Sequence, residues 1–136
     1  MIYKLDIYTS KSQDMIDITE NIYEVVKKSN VKNGVCFIYS PHTTCGITIN
    51  EGADHDVKRD IISKLNEIIP VNDPSYTHME GNSHSHIKTS IFSNDVFVFI
   101  ENGEILLGRW QAIYLCEFDG PRKRNIWVKI LSEDKI

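Results

Sequence analysis

The feature that most constrains the fold is a strand-like segment that is apolar on both faces. Residues 35–39 (Val-Cys-Phe-Ile-Tyr) carry no charged or amide side chain at either alternating position. A strand buried on both faces needs a covering layer on each side. The chain offers only two amphipathic helical segments, enough to cover one face of a sheet. The second face is therefore expected to pack against a second layer of sheet or against other copies of the chain.

Hydrophobic periodicity predicts the other elements. A capping box, Asp17 with Glu20, opens the first helix. Asp54 is the expected N-cap of the second helix, and Pro70 ends it. The inner face of that second helix should carry Val57, Ile61, Leu65, Ile68 and Ile69. The helices are predicted over 17–29 and 54–69, and further strands over 2–9, 46–50, 86–92, 95–100, 105–107, 111–118 and 124–131.

These elements predict an α+β fold with a predominantly antiparallel or mixed sheet packed with two main helices. Asp119-Gly120-Pro121-Arg122 is expected to be the hairpin turn between the last two strands. A length of 136 residues suits one domain, taken as residues 1–136. The loop over 70–85 has no periodicity, and a loop that long in a small domain is typical of function or disorder.

Composition excludes several classes of protein. The net charge of −4 argues against general nucleic-acid binding. A charged N-terminus and the lack of an apolar run of ~20 residues argue against a signal peptide and a membrane span. Three widely spaced cysteines, Cys36, Cys45 and Cys116, form no disulfide framework. We expect a soluble, cytoplasmic protein with no nucleic-acid or membrane partner.

Three of the five histidines fall within nine residues, at His78, His84 and His86. His84 and His86 lead into the predicted strand 86–92, where residues i and i+2 point the same way. Two imidazoles on one strand face can chelate a metal or act on a bound substrate. Metal binding, metal-free catalysis or anion binding, and a structural role all remain open. A zinc site would recruit His78 or His42 as a further ligand.

Four other residues could contribute to a site. His42 lies in a segment rich in hydroxyl groups, residues 40–46, between two strands, which could equally be a polar connection that caps its own backbone. Glu51, at a strand end, could act as an acid or base, although a solvated carboxylate is the commoner finding. Arg122 belongs to a basic set that could bind a diphosphate. Asn82 adds a neutral hydrogen-bonding group beside the histidines.

Several motifs together resemble the YjbQ-like family. They are Pro-His-Thr-Thr at 41–44, Ile-Asn-Glu at 49–51, Glu-Gly-Asn-Ser-His-Ser-His at 80–86, Leu-Gly-Arg-Trp-Gln at 107–111 and Phe-Asp-Gly-Pro-Arg at 118–122. The resemblance implies an α+β homotrimer in which the histidine segments meet in one pocket. It also implies site roles for His42, His78, Asn82, His84 and His86 and, with less weight, for Glu51, Trp110 and Arg122.

Members of that family are described as secondary thiamine-phosphate synthases. That transferase joins a pyrimidine-methyl diphosphate to a thiazole phosphate and releases pyrophosphate. The histidines and the diphosphate together suggest a divalent metal as cofactor, either zinc at the histidines or magnesium accompanying the diphosphate. A metal-dependent hydrolase and a non-catalytic metal- or metabolite-binding protein are the alternatives.

Overall fold

The computed structural model describes residues 1–135, which form eight strands and three helices. Each recorded strand pair is antiparallel. The strands are β1 (Tyr3–Tyr8), β2 (Asp14–Asp17), β3 (Gly34–Tyr39), β4 (Cys45–Glu51), β5 (Asp95–Glu101), β6 (Glu104–Leu106), β7 (Gln111–Glu117) and β8 (Lys123–Ser132); the helices are α1 (Thr19–Ser29), α2 (His55–Ile68) and α3 (Ser83–Phe92).

Two sheets divide the molecule into layers. The five-stranded sheet has the order β1-β8-β3-β5-β6, and the three-stranded sheet has the order β2-β7-β4. The main core lies between them and includes the buried side of α1. The opposite face of the three-stranded sheet packs against α2 and α3 in a second, smaller core. The predicted α+β class and the predominantly antiparallel sheet are confirmed.

Strand β3 shows why the fold needs two sheets. Cys36 and Ile38 point into the main core and are fully buried. Phe37 and Tyr39 point the other way and remain 41% and 46% exposed. The second sheet thus covers the inner face, and a second layer of sheet is one of the two alternatives predicted above. Nothing within the described residues buries the outer face. Other large apolar side chains exposed on that sheet include Tyr8, Phe97, Phe99, Leu106 and Leu131.

The predicted capping box of α1 is wrong. Asp17 is the last residue of β2, a short strand that the sequence pattern did not predict, and the helix begins at Thr19 after Ile18. The Asp17 carboxylate does accept a hydrogen bond from the Thr19 backbone N–H at 2.9 Å. It therefore closes a local turn between strand and helix, without the reciprocal contact from Glu20 that a capping box requires.

Helix α2 begins as predicted and packs more loosely than predicted. The Asp54 side chain accepts a hydrogen bond from the Asp56 N–H at 2.9 Å, which confirms it as the N-cap. Ile61 and Leu65 contact the second core, but no residue of α2 is fully buried. Ile68, placed on the inner face by its spacing, is 68% exposed. None of the helices within residues 1–135 is long and apolar enough to span a membrane.

The segment predicted as a strand over 86–92 is instead part of helix α3. Its buried positions, His84, Ser85, Lys88 and Thr89, have the i, i+1, i+4, i+5 spacing of a helical face. All four are polar, while the apolar Ile91 is 63% exposed. A search for apolar periodicity therefore could not identify this helix, and its β-branched residues pointed to a strand.

The predicted hairpin at 119–122 is a crossover between the two sheets. Strand β7 pairs with β2 and β4, and β8 pairs with β1 and β3, so the two strands do not pair with each other. The Gly120–Pro121 peptide bond in this connection is cis. The crossover brings Asp119 and Arg122 beside the first turn of α3, where Asn82 contacts Asp119.

Candidate functional site

Two cavities flank helix α3, and His86 lines both of them. The first, here called the His42 cavity, has a volume of about 330 Å³. The second, the His78 cavity, has a volume of about 380 Å³. The lining of the His42 cavity is Tyr39, Ser40, Pro41, His42, Thr43, His86, Thr89, Ser90 and Asn94. The lining of the His78 cavity is Ser75, Tyr76, Thr77, His78, Ser83, His86 and Ile87.

His42 is held as a neutral hydrogen-bond donor. Its Nε2 accepts a hydrogen bond from the Asn125 backbone N–H at 2.9 Å, so in the neutral ring the proton is on Nδ1. Burial, together with the positive charge of Arg124, lowers the pKa of His42. The ring therefore stays neutral at pH 7 and offers Nδ1–H for hydrogen bonding.

Two polar groups on the wall of the His42 cavity are left to donate a hydrogen bond, the His42 Nδ1–H and the Thr89 hydroxyl. The Thr89 hydroxyl is buried and has no hydrogen-bond partner among residues 1–135, although its residue lines the cavity. Asn94 uses its amide N–H groups on the backbone carbonyls of Ser40 and His42, at 2.9 and 2.7 Å, and so fixes the shape of the loop. The described lining contains no aspartate or glutamate. Such a surface suits an electronegative group that accepts hydrogen bonds.

His78 and His86 meet in the second cavity. Their ring centroids are 5.2 Å apart in an edge-to-face arrangement. His78 comes from the loop between α2 and α3, and His86 from the second turn of α3. This proximity is the part of the predicted histidine cluster that the structure assembles within one chain.

His84 faces away from both cavities. Its Nδ1 lies 2.8 Å from the Nζ of Lys88, and its Nε2 lies 3.2 Å from the Ser85 hydroxyl. Burial and the nearby Lys88 charge lower the pKa of His84. On a helix, residues i and i+2 point about 200° apart, so His84 and His86 cannot act as a same-face pair. The predicted His-x-His chelate on a strand is wrong for this reason.

Asn82 and Arg122 are joined through Asp119. The Asn82 amide donates to the Asp119 carboxylate at 2.9 Å, and the Arg122 guanidinium donates to it at 3.1 Å. Arg122 also donates to the Asp119 backbone carbonyl at 2.8 Å. These contacts attach the start of α3 to the crossover between the sheets. Asn82 and Arg122 thus hold the segments next to the cavities together, and neither side chain lines a cavity.

Glu51 and Trp110 lie at the other end of the three-stranded sheet. Cys45 is paired with Glu117 at one end of β4, and Glu51 with Gln111 at the other. The six residue-to-residue steps from Cys45 to Glu51 separate the two ends by about 20 Å. Trp110 lines a different cavity of about 380 Å³ together with Arg109, whose guanidinium lies 4.9 Å from the centre of the indole ring. Within one chain these two residues do not join the histidines.

The predicted four-histidine metal set does not come together in one chain. No group of three His, Cys, Asp or Glu residues within positions 1–135 is placed to hold an ion. Both His42 and His84 use one ring nitrogen to accept a hydrogen bond and carry the proton on the other, so neither has a free lone pair for a metal. Only His78 and His86 retain that capacity as neighbours. A bound divalent metal stays a prediction.

Sequence reasoning missed several residues of the site. Thr89, Ser90 and Asn94 were assigned to a strand or its end, so their approach to His42 was not foreseen. Lys88 stands four residues after His84, a spacing that would have paired them had the segment been recognised as helical. Tyr39 was expected in a covered strand and instead lines the cavity from the exposed face of the sheet.

Comparison with known sequences identifies close relatives. A family model described as UPF0047 protein YjbQ-like matches residues 3–133. UPF0047 protein MJ1081 of Methanocaldococcus jannaschii is 48% identical over 133 residues, covering 98% of this chain and 96% of that protein. UPF0047 protein YugU of Bacillus subtilis is 44% identical over 132 residues, covering 97% and 100%.

Solved structures show the same fold. An uncharacterised YjbQ/UPF0047 protein of Clostridium acetobutylicum superposes with a TM-score of 0.93 at 46% identity, covering 95% of this chain and 99% of that one. A protein of unknown function from Sulfolobus solfataricus superposes with a TM-score of 0.92 at 32% identity, covering 98% and 97%. Their descriptions state no activity, so function has to be argued from the site.

Proposed function

This chain belongs to the YjbQ-like UPF0047 family, and we propose that it is an enzyme that binds a small phosphorylated metabolite in the His42 and His78 cavities. The observation that carries the proposal is the pair of donors left on the wall of the His42 cavity. His42 offers Nδ1–H, and Thr89 offers a buried hydroxyl that has no partner in the described part of the chain. Phosphate oxygens are acceptors only, and would satisfy both groups.

The neighbouring cavity suits the organic part of such a substrate. Ile87 and Tyr76 contribute apolar surface there, and the Tyr76 hydroxyl is already bonded to the Pro70 carbonyl at 2.7 Å. His86 stands on the wall between the two cavities. An elongated molecule would thus place its phosphate near His42, its organic part near Tyr76, and the bond between them near His86.

Thiamine-phosphate synthesis is the specific reaction we propose, on the resemblance to secondary thiamine-phosphate synthases. The thiazole nitrogen attacks the methylene carbon of the pyrimidine substrate, the bond from that carbon to the diphosphate oxygen breaks, and pyrophosphate leaves. His42 and Thr89 would donate hydrogen bonds to the charge that grows on the leaving oxygens. His86, when protonated, would donate a proton to the same group. Magnesium would enter only as the partner of the diphosphate.

The test is synthesis from the two substrates in the presence of magnesium. Thiamine phosphate and pyrophosphate should form in equal amounts, and His86→Gln should lower kcat/KM by about 10²-fold or more, as expected for loss of an acid catalyst. His55→Gln is the matched control, because His55 begins α2 and lines neither cavity. A correctly folded His86→Gln variant with unchanged kcat/KM would contradict the proposed role.

The same assay separates the alternative functions. Release of phosphate or pyrophosphate from the diphosphate alone, without the thiazole, would indicate a hydrolase. Saturable binding of pyrophosphate without turnover of any substrate would indicate a non-catalytic binding protein. Either result would replace the proposed transferase activity while leaving the location of the site in place.

We also propose that the protein works as a homotrimer. The exposed apolar residues of the five-stranded sheet, which include Phe37, Phe97 and Phe99, form a contiguous aromatic row: the ring centroids of Phe37 and Phe97 are 6.4 Å apart, and those of Phe97 and Phe99 are 5.5 Å apart. Soluble chains rarely leave such a surface bare. Tyr39 belongs to this face and also lines the His42 cavity, so subunit contact there would enclose the site.

A further inference from the structure

Lys88 is an unusual buried cation. Its side chain has no exposed surface, and its Nζ lies 2.6 Å from the Asn66 side-chain oxygen, 3.3 Å from that of Gln13 and 2.8 Å from His84 Nδ1. No carboxylate of the described residues forms a salt bridge with it. Three neutral acceptors therefore take the three N–H groups of the ammonium, each supplied by a different part of the chain.

We infer that Lys88 is a positioning residue, which holds the His84 imidazole in one tautomer and thereby fixes helix α3 with His86 facing the two cavities. An ammonium group can only donate, so His84 Nδ1 must accept and the proton of the neutral ring is on Nε2. That N–H points at the Ser85 hydroxyl, which in turn donates to the Phe118 carbonyl. The charge on Lys88 makes Nδ1 the acceptor, and the Phe118 carbonyl, which can only accept, sets the direction of the Ser85 hydrogen bond.

The chain of hydrogen bonds joins α3 to three other segments. Asn66 belongs to α2, Gln13 precedes β2, and Phe118 begins the crossover between the sheets. Burial lowers the pKa of Lys88 to about 8, which leaves most of the side chain charged at pH 7. Because His84 and Lys88 are held on the inner side, the helical rotation of about 200° from His84 places His86 outward. Without the Lys88 donors, His84 Nδ1 loses its partner, and the Ser85 hydroxyl could turn from the Phe118 carbonyl to donate to Nε2, so the preference for the Nε2–H tautomer weakens.

Imidazole ¹⁵N–¹H correlation spectra of the full-length protein test this inference directly. The wild-type spectrum should show His84 in the Nε2–H tautomer. Lys88→Met keeps the length of the aliphatic stem and removes the donors, so both tautomers should appear and the amides of α3 should exchange about tenfold faster or more. Lys58→Met is the matched control, because Lys58 also spans from a helix to neighbouring acceptors, Met15 O at 2.9 Å and the Asp14 carboxylate at 3.6 Å, but does not touch α3.

Two results would overturn the inference: a wild-type His84 in the Nδ1–H tautomer, or a Lys88→Met variant whose tautomer and α3 exchange match the wild type. If Lys88→Met does not fold, His84→Gln and His84→Leu decide the question. Glutamine can accept from Lys88 and donate to Ser85, so it should keep α3 protected, whereas leucine should not. Equal exchange in the two variants would contradict the inference.

The inference rests on the proposed function only for the role given to His86, and the two can fail separately. The tautomer and exchange measurements need no ligand. If they succeed while His86→Gln keeps full synthase activity, the positioning network stands and the role proposed for His86 fails; if they succeed while the wild type forms no thiamine phosphate, the network stands and the proposed reaction fails. If His86 proves essential while His84 shows no dependence on Lys88, the reaction stands and the positioning role fails.

Discussion

Arg124 and Glu117 form a buried ion pair that joins the two sheets. Arg124 belongs to β8 and Glu117 ends β7, on either side of the crossover, and the Arg124 Nε lies 2.8 Å from a carboxylate oxygen of Glu117. A second contact makes the pair bidentate. Thr9 and the Asp119 N–H satisfy the remaining carboxylate positions, and Thr44 accepts from the guanidinium. Burial alone would raise the pKa of Glu117, but these hydrogen bonds outweigh it and lower the pKa.

Breaking this pair on one side should strongly destabilise the fold. Glu117→Gln leaves the Arg124 charge buried without a counter-ion, so we expect a loss of about 3–5 kcal/mol in the free energy of unfolding, measured by urea denaturation. The double variant Glu117→Leu/Arg124→Met removes both charges and should lose less than Glu117→Gln. A double variant that is less stable than the single one would show that the ion pair has a net stabilising effect of its own.

Acid should weaken the fold through His84. Its pKa is lowered in the folded state, so below pH 6.5 the unfolded chain binds more protons than the folded one, and stability falls as the pH falls. Above pH 6.5 the His84 ring is neutral in both the folded and the unfolded chain, so the stability that its burial as a neutral group contributes is fully present. Urea midpoints measured from pH 7.5 to pH 5 should therefore decline for the wild type and decline less for His84→Gln. Parallel curves for the two proteins would contradict the assignment.

A substitution at Thr89 should weaken ligand binding without lowering the stability of the ligand-free protein. Thr89→Val replaces a buried, unpartnered hydroxyl with a methyl group of the same shape, so the ligand-free protein should be as stable as the wild type or slightly more so. Pyrophosphate binding, measured by calorimetry, should weaken about 2- to 10-fold through the loss of one hydrogen bond. Ser63→Ala is the control, since Ser63 lies on the exposed side of α2 and lines neither cavity. Unchanged affinity in Thr89→Val would remove that residue from the binding site.

The aromatic face should decide the assembly state. Light scattering at micromolar concentration should give three times the chain mass of 15.7 kDa for the wild type and the single-chain mass for Phe97→Glu, because a carboxylate cannot be buried there unpaired. Ile68→Glu places the same change on the exposed part of α2 and should leave the trimer intact. If Ile68→Glu alone dissociates the assembly, the contact surface is α2 and not the sheet. A monomeric wild type would refute the trimer.

Several features of the fold follow from local sequence. The apolar run at residues 35–39 was correctly predicted as a strand, and its Cys36 and Ile38 lie in the core. Asp54 caps α2 because a carboxylate just before a helix bonds to its free N–H groups, whatever surrounds it. The motifs from Pro41 to Arg122 predicted the family. Each of these properties depends either on residues that are neighbours in sequence or on the hydrophobic effect. The hydrophobic effect shows in the sequence as a pattern of apolar residues.

The arrangement of the candidate site was decided by tertiary structure. Helix α3 buries polar residues, and their partners, Gln13, Asn66 and Phe118, come from positions between 22 and 75 residues away from the residues they bond. Hydrophobic periodicity cannot report a side chain that is buried by hydrogen bonding to distant segments. For the same reason the sequence alone placed His84 with His86, and Glu51 with the histidines. Only the packed chain shows His84 turned inward, His86 between two cavities, and Glu51 at the far end of the sheet.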